Sequence, residues 1–382
     1  MRVAGATSTG SKRAEALFGS EGAAASPRMI RSAGARLWDT QGREYLDFMM
    51  ALGAVALGYG HPAVRDAARG AVERGTVGSL PPVEEEELAA LLGDAMPWLE
   101  RVRFLKTGAE AVAAAVRLAR VATGREGVLG CGYHGWLDWA SREAGVPRAV
   151  EGLYDEMPFN DPERCRDLIH ERAPGLACVV VEPVIDGPPD RDWLALLREE
   201  TRRVGAILVF DEIKTGFRVG PGGAVQRWGG EPDLVVLGKA LANGFPLAAV
   251  GGRAAVMAGA ERTWISSTLA TEAVALAAAV ATVRASIAER LSHHLGRVGG
   301  TLFQGLDRLA ARYPRLVSGV AGLPEMCHLR FTDPAIGGRV AWRCFERGVL
   351  FKRSAYNFVS LAHGEEEVRQ GLEVLEEALA RC

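Results

Sequence analysis

Lysine is scarce in this chain of 382 residues: of 45 basic residues only five are lysines, Lys12, Lys106, Lys214, Lys239 and Lys352. A guanidinium keeps its proton in proteins whereas an amine can lose it, so a chain written so consistently in arginine retains few nitrogen nucleophiles. Charge of one sign is also lacking, the net charge being -2. That excludes the basic surplus expected of a nucleic-acid or anionic-membrane partner and leaves small molecules or other proteins. The six cysteines, Cys131, Cys165, Cys178, Cys327, Cys344 and Cys382, form no CxxC pair and have no adjacent histidine at ligand spacing. Neither a zinc site nor a disulfide framework is indicated. Long apolar runs are missing too: "AVALAAAVATV" is too short to span a bilayer, and "MRVAGATSTGSKRAEALF" has no apolar leader core. A cytoplasmic location is expected.

What the chain does contain is a rhythm. Strand-length apolar runs, "RVRFL" (101–105), "GVLG" (127–130), "ACVVVEPV" (177–184), "AILVFDE" (206–212), "DLVVLG" (233–238) and "AAVGG" (248–252), alternate with helical segments at 109–122, 161–172 and 192–204. Near-continuous apolar strands separated by helices indicate an α/β fold with a mostly parallel central sheet covered on both faces. From residue 271 a long helix is expected, then the short strands "CHLRF" and "GVLFK" and a helix starting near Glu365. Short strands flank the turn signal "TQG" near the start. The expected domains are an N-terminal segment, 1–50, joining a small α+β domain completed by 291–382, and a large domain, 51–290.

Ligands of open α/β sheets sit beyond the carboxyl ends of strands. Four strand ends carry candidates. "RFLKTGAEAV" passes from strand through Thr107 and Gly108 into a helix, which is either a phosphate cradle or an ordinary turn. "GCGYHG" (130–135) matches the spacing of a dinucleotide loop, but Tyr133 and His134 intrude; the pair reads as an aromatic face for a planar ligand or a partly buried loop. "AILVFDE" ends on Asp211 and Glu212 without the phosphate loop of an NTPase; otherwise the acids cap a turn. "EPDLVVLGKALANGFPLAAVGG" holds Lys239 as the only charge between Asp233 and Arg253. By itself that lysine is either a snorkelling side chain or a desolvated, reactive amine. Taken together, the four describe a site for a planar, phosphorylated, aldehyde-bearing pyridine.

On these features the chain resembles the class III aminotransferases, enzymes of the type I fold that use pyridoxal 5′-phosphate (PLP), and within them the glutamate-1-semialdehyde 2,1-aminomutase branch. The resemblance runs from "GARLWDTQGREYLDF" and "LGYGHPAV" to "FVSLAHGEEEV", and is strongest at "LVFDEIKTGFR" with Lys239 following. It implies that Lys239 forms a Schiff base with the cofactor and that Asp211 pairs with the pyridine nitrogen. It further implies that the amides of Gly108 and Ala109 hold the phosphate, Tyr133 stacks on one ring face with His134 beside it, and Ile213 backs the other. Thr268 is implied to reach the phosphate of a partner subunit, hence a homodimer. The reaction implied moves an amino group from an amino-acid donor to a carbonyl acceptor.

Several positions depart from that branch. Its tryptophan corresponds to Leu52, its carboxylate near "GFLSLAH" falls at Ala355, and its substrate-binding arginine has no counterpart near Lys12 and Arg13. These changes favour an intermolecular aminotransferase over the mutase. Ala109 replaces a threonine that assists the phosphate, a loss Thr107 is expected to offset. Lys214 replaces a Gln or Met near the ring's phenolic oxygen, as in transaminases acting on oxo-sugars; its alternative is an ion pair with Glu182 or Asp186. A non-catalytic PLP-binding relative would be expected to lack Lys239 or Asp211.

Overall fold

The computed structural model describes residues 2–25 and 27–382. The chain divides into two compact units, one of residues 62–290 and one joining the residues up to His61 with Leu291–Cys382. The first break therefore falls after His61 and not after residue 50. Backbone bonding explains why: Gly34 and Tyr59 exchange N–H···O bonds of 2.9 and 2.7 Å, and Leu361 N donates to Ala56 O at 2.8 Å. These bonds tie the segment after residue 50 to the unit drawn from both chain ends.

The larger unit contains seven strands: β1 (Arg101–Leu105), β2 (Gly127–Cys131), β3 (Tyr154–Glu156), β4 (Leu176–Val181), β5 (Ile207–Asp211), β6 (Leu234–Leu237) and β7 (Ala248–Gly252). Their order in the sheet is β1-β7-β6-β5-β4-β2-β3. Every pairing is parallel except those of β7, which runs antiparallel to both β1 and β6. Its helices include α1 (Gly108–Thr123), α2 (Pro162–Arg172), α3 (Arg191–Val204), α4 (Gly223–Trp228) and α5 (Ala273–Ala288). All six residues of β4 are buried, which is why it is written as an unbroken apolar run.

Alternation divides the sheet between two cores. Cys178, Val180, Val209 and Val236 pack with Val112, Ala115 and Val116 of α1, whereas Val179, Val181, Leu208 and Phe210 pack with Trp193, Leu194 and Leu197 of α3. Each fully buried branched side chain contributes about 1.5–3 kcal/mol relative to exposure, so the two cores fix the strand register. The neighbouring strands β4, β5 and β6 consequently end side by side at one edge.

In the smaller unit, antiparallel strands Met29–Ala33, Arg36–Asp39 and Glu44–Asp47 are extended by Val349–Leu350, which pairs parallel to the third. A second antiparallel sheet is built from Val317–Leu323, Met326–Phe331 and Asn357–Phe358. The helices Leu291–Arg312, Pro334–Glu346 and Glu365–Ala380 complete an α+β unit drawn from both chain ends. The long helix expected after residue 271 is two helices. Arg290 adopts φ 50° and ends α5, because a left-handed L-residue cannot continue a right-handed helix. No Gly or Pro announces that break. Among the described residues, no helix is long and apolar enough to cross a membrane.

Candidate functional site

Strand β5 delivers Asp211 to its carboxyl end, where the residue is only 2% exposed. One carboxylate oxygen lies 2.8 Å from His134 Nδ1, and the other accepts a hydrogen bond of 3.2 Å from the Ile213 amide. His134 arrives on the loop after β2, two strands away, and its ring lies nearly parallel to Trp139 at 6.2 Å. The opposite nitrogen, His134 Nε2, is buried and has no hydrogen-bond partner among the described residues. A buried imidazole anchored on one side and bare on the other is half of an interaction.

Lys239 follows the extended Gly238 after β6 and begins the short 3-10 turn Lys239–Ala242. Its φ of 45° places a non-glycine residue in the left-handed region. That conformation costs about 1–2 kcal/mol and persists only where the surroundings impose it. Among the described residues no hydrogen bond or ion pair engages its Nζ. Burial holds its ammonium below the ordinary lysine pKa; Glu182 opposes this, Lys214 adds to it, and Asp211 and Arg218 act in smaller, opposed ways. The amine thereby loses its proton more readily than an exposed lysine does. Two other lysines are paired: Lys106 with Glu272 at 3.1 Å, and Lys214 with Glu182 in a close ion pair. Lys214 thus forms the ion pair with Glu182 that was expected as its alternative role.

Glu182, immediately after β4, also accepts a 2.7 Å hydrogen bond from the Tyr133 amide. Gly132, with φ 111°, makes this approach possible: a Cβ there would lie 2.8 Å from Glu182 Cγ. One carboxylate therefore fixes both Lys214 and the loop that carries His134 to Asp211. Tyr133 itself is 72% exposed.

Helix α1 begins with a capping box. The Thr107 hydroxyl accepts from the Glu110 amide at 3.2 Å and donates to the Glu110 carboxylate at 3.0 Å, while the Thr107 amide donates to the same carboxylate at 2.9 Å. Thr107 therefore has no hydroxyl proton free for a phosphate, against the expectation that it offsets Ala109. The amides of Gly108 and Ala109 occupy the first two helical positions, which have no intrahelical acceptor, and they donate to nothing among the described residues. A Cβ on Gly108 would lie 2.6 Å from Ile213 Cδ1, and one on Gly238 would lie 3.5 Å from the same side chain. Ile213 thus sits between the α1 N-terminus and the residue before Lys239. A Cβ on Gly135 would similarly come within 2.6 Å of Ala109 Cβ.

The neighbouring acid, Glu212, faces other partners. It accepts from the Ala224 and Val225 amides at 2.8 and 3.1 Å and from the Thr215 hydroxyl, capping α4. Two adjacent carboxylates thus have two tasks, one at the strand-end cluster and one in the fold. Thr268 lies in an exposed loop, and nothing within the described chain brings it to the other candidates. Among the described residues no group of His, Cys, Asp and Glu could hold a metal ion. Sequence reading missed the His134–Asp211 contact, since the residues are 77 apart and neither side chain announces its partner.

A model of class III aminotransferases matches residues 21–379. The chain is 34% identical to glutamate-1-semialdehyde 2,1-aminomutase of Chloroflexus aggregans, over 92% of this chain and 90% of that one. It is 36% identical to the protein of the same name from Thermomicrobium roseum, with the same coverage. A solved transaminase with PLP bound superposes with a TM-score of 0.88 at 28% identity, covering 92% of this chain and 90% of that one.

Proposed function

Because the chain belongs to the class III aminotransferase family, we propose that it carries an amino group from an amino-acid donor to an aldehyde or ketone acceptor, with Lys239 as the anchoring amine. The observation that carries this reading is a partly buried amine with no partner among the described residues, gathered at neighbouring strand ends with the buried Asp211–His134 pair. The family's cofactor, PLP, suits the residues present. Among the described residues, His134 Nε2 has an unused hydrogen-bonding position and two helix N-terminal amides are free, while Gly108 lets Ile213 pack against that helix end.

When bound, PLP supplies an aldehyde that captures amines and a ring that takes up the electron pair left at a substrate α-carbon. Lys239 Nζ takes the proton from that carbon, a task suited to an amine that burial makes readier to lose its own proton. Asp211, oriented by His134, holds a proton at the pyridine nitrogen. The amides of Gly108 and Ala109 bind the phosphate, where the positive end of the α1 dipole favours an anion. Tyr133 and Ile213 would hold the ring between them, and Lys214, paired with Glu182, would stand near it. Exposed Thr268 reaches the phosphate held by a second copy, which makes the working unit a homodimer.

Lys214, with Leu52 and Ala355 where the aminomutase branch has tryptophan and a carboxylate, supports an external acceptor of the oxo-sugar or sugar-derived aldehyde class. The second reading is the aminomutase reaction itself, favoured by the names of the curated relatives. Absorbance of the PLP-loaded protein separates them. A donor amino acid should bleach the visible band and a carbonyl acceptor should restore it. Efficient isomerisation of glutamate semialdehyde without any donor would establish the second reading.

A further inference from the structure

Ion pairs enclosed in a fold seldom add stability over apolar packing, because desolvating two charges offsets most of their attraction. The Glu182–Lys214 pair is such a case, its side chains 11% and 10% exposed. Its placement is specific. Glu182 follows Val181, which pairs with Phe210; Asp211 pairs with Val236, three residues before Lys239; and Lys214 lies three residues beyond Asp211. Adjacent strands are about 5 Å apart, so the pair and Lys239 share one sheet edge. The chain writes lysine at only five positions, and two of them, Lys214 and Lys239, stand here.

We propose that Glu182 and Lys214 are a compensating charge pair that sets how readily Lys239 gives up its proton. Glu182 alone would stabilise an ammonium at Lys239, and Lys214 alone would destabilise it; the bound pair leaves a small residual field. The other charged groups acting on Lys239 are Asp211 at the end of β5 and Arg218 in the segment after it, while His134 binds Asp211. Both members of the pair are positioning residues. Glu182 additionally clamps the Tyr133 amide, coupling the charge balance to the loop that holds His134.

The proposal rests on Lys239 being the anchoring amine, and its test does not need that to be so. Full-length protein stripped of cofactor is labelled with trace acetic anhydride over about pH 6 to 11, and acetylation of Lys239 is read by peptide mass spectrometry. At a pH where the ammonium predominates, Glu182→Gln should speed labelling of Lys239 about tenfold and Lys214→Met should slow it about tenfold, as expected for loss of one close charge. The double variant should return near the parent rate. In the PLP-loaded protein, the pH at which the visible band changes should move in the same opposed directions. Shifts of equal sign, or none, overturn the proposal. Should Lys214→Met fail to fold, Glu182→Gln decides alone, since glutamine keeps a carbonyl for the Tyr133 amide: unchanged or slower labelling overturns it. If Lys239→Ala still binds cofactor covalently, the anchoring role fails instead, and the labelling result stands apart from it.

Discussion

Replacing Asp211 by Asn separates the cofactor-facing carboxylate from its neighbour. The substitution keeps shape and an acceptor but removes the charge from a side chain 2% exposed and 2.8 Å from His134 Nδ1. A charge-assisted hydrogen bond contributes about 1.5–3 kcal/mol, of which an amide retains part, so a loss of about 1–2 kcal/mol is expected. For a protein of this size that lowers Tm by roughly 1–3 °C. The effect on turnover should be much larger, about 100- to 1,000-fold, because a preorganised charge at the reacting ring is lost. Glu212→Gln is the internal control. Its carboxylate is committed to the Ala224 and Val225 amides, so it should lose about 1–3 kcal/mol of stability while folded enzyme keeps its kcat. Thermal unfolding and steady-state kinetics on both variants measure this. Asp211→Asn with parental turnover, or a folded Glu212→Gln enzyme equally impaired, would refute the assignment.

Burial raises Glu212 to about 7, against the donors that favour its ionised form. The folded state then binds the proton more tightly than the unfolded state, so this group's stabilisation is complete below the unfolded pKa near 4.5 and is lost as pH rises through about 7. The difference in unfolding free energy between the parent and Glu212→Gln should shrink by about 3 kcal/mol from acid to mildly alkaline pH, and a constant difference in urea melts would contradict it. Gly108→Ala sets a methyl 2.6 Å from Ile213 Cδ1 and should weaken PLP binding about tenfold by fluorescence titration, through a rotamer shift at the cradle. An unchanged Kd would remove Gly108 from the phosphate site. The opposed labelling shifts of Glu182→Gln and Lys214→Met complete the set.

The α/β alternation was legible because parallel strands buried on both faces must be apolar throughout, as β4 is. The three-residue β3 was not, since Tyr154–Glu156 carries two acids and too few residues for a period to emerge. The end of α5 was hidden for a different reason: Arg290 turns left-handed without a glycine or proline to signal it. At the site, residue types and spacing pointed to Lys239 and Asp211 as separate strand-end groups. What sequence could not supply were contacts made across strands, His134 on Asp211 and Glu182 on the Tyr133 amide, whereas the Glu182–Lys214 pair was legible as one of two options. Nor did it show that Thr107 spends its hydroxyl on Glu110. Such pairings depend on strand order, which local patterns do not encode.

The central claim is that one particular amine, among five lysines, binds the cofactor. Borohydride reduction of the PLP-loaded protein, followed by peptide mapping, locates that bond directly. The pyridoxyl group should be found on Lys239 alone. Its recovery on Lys214 or another lysine, or no covalent adduct at all, would contradict the account.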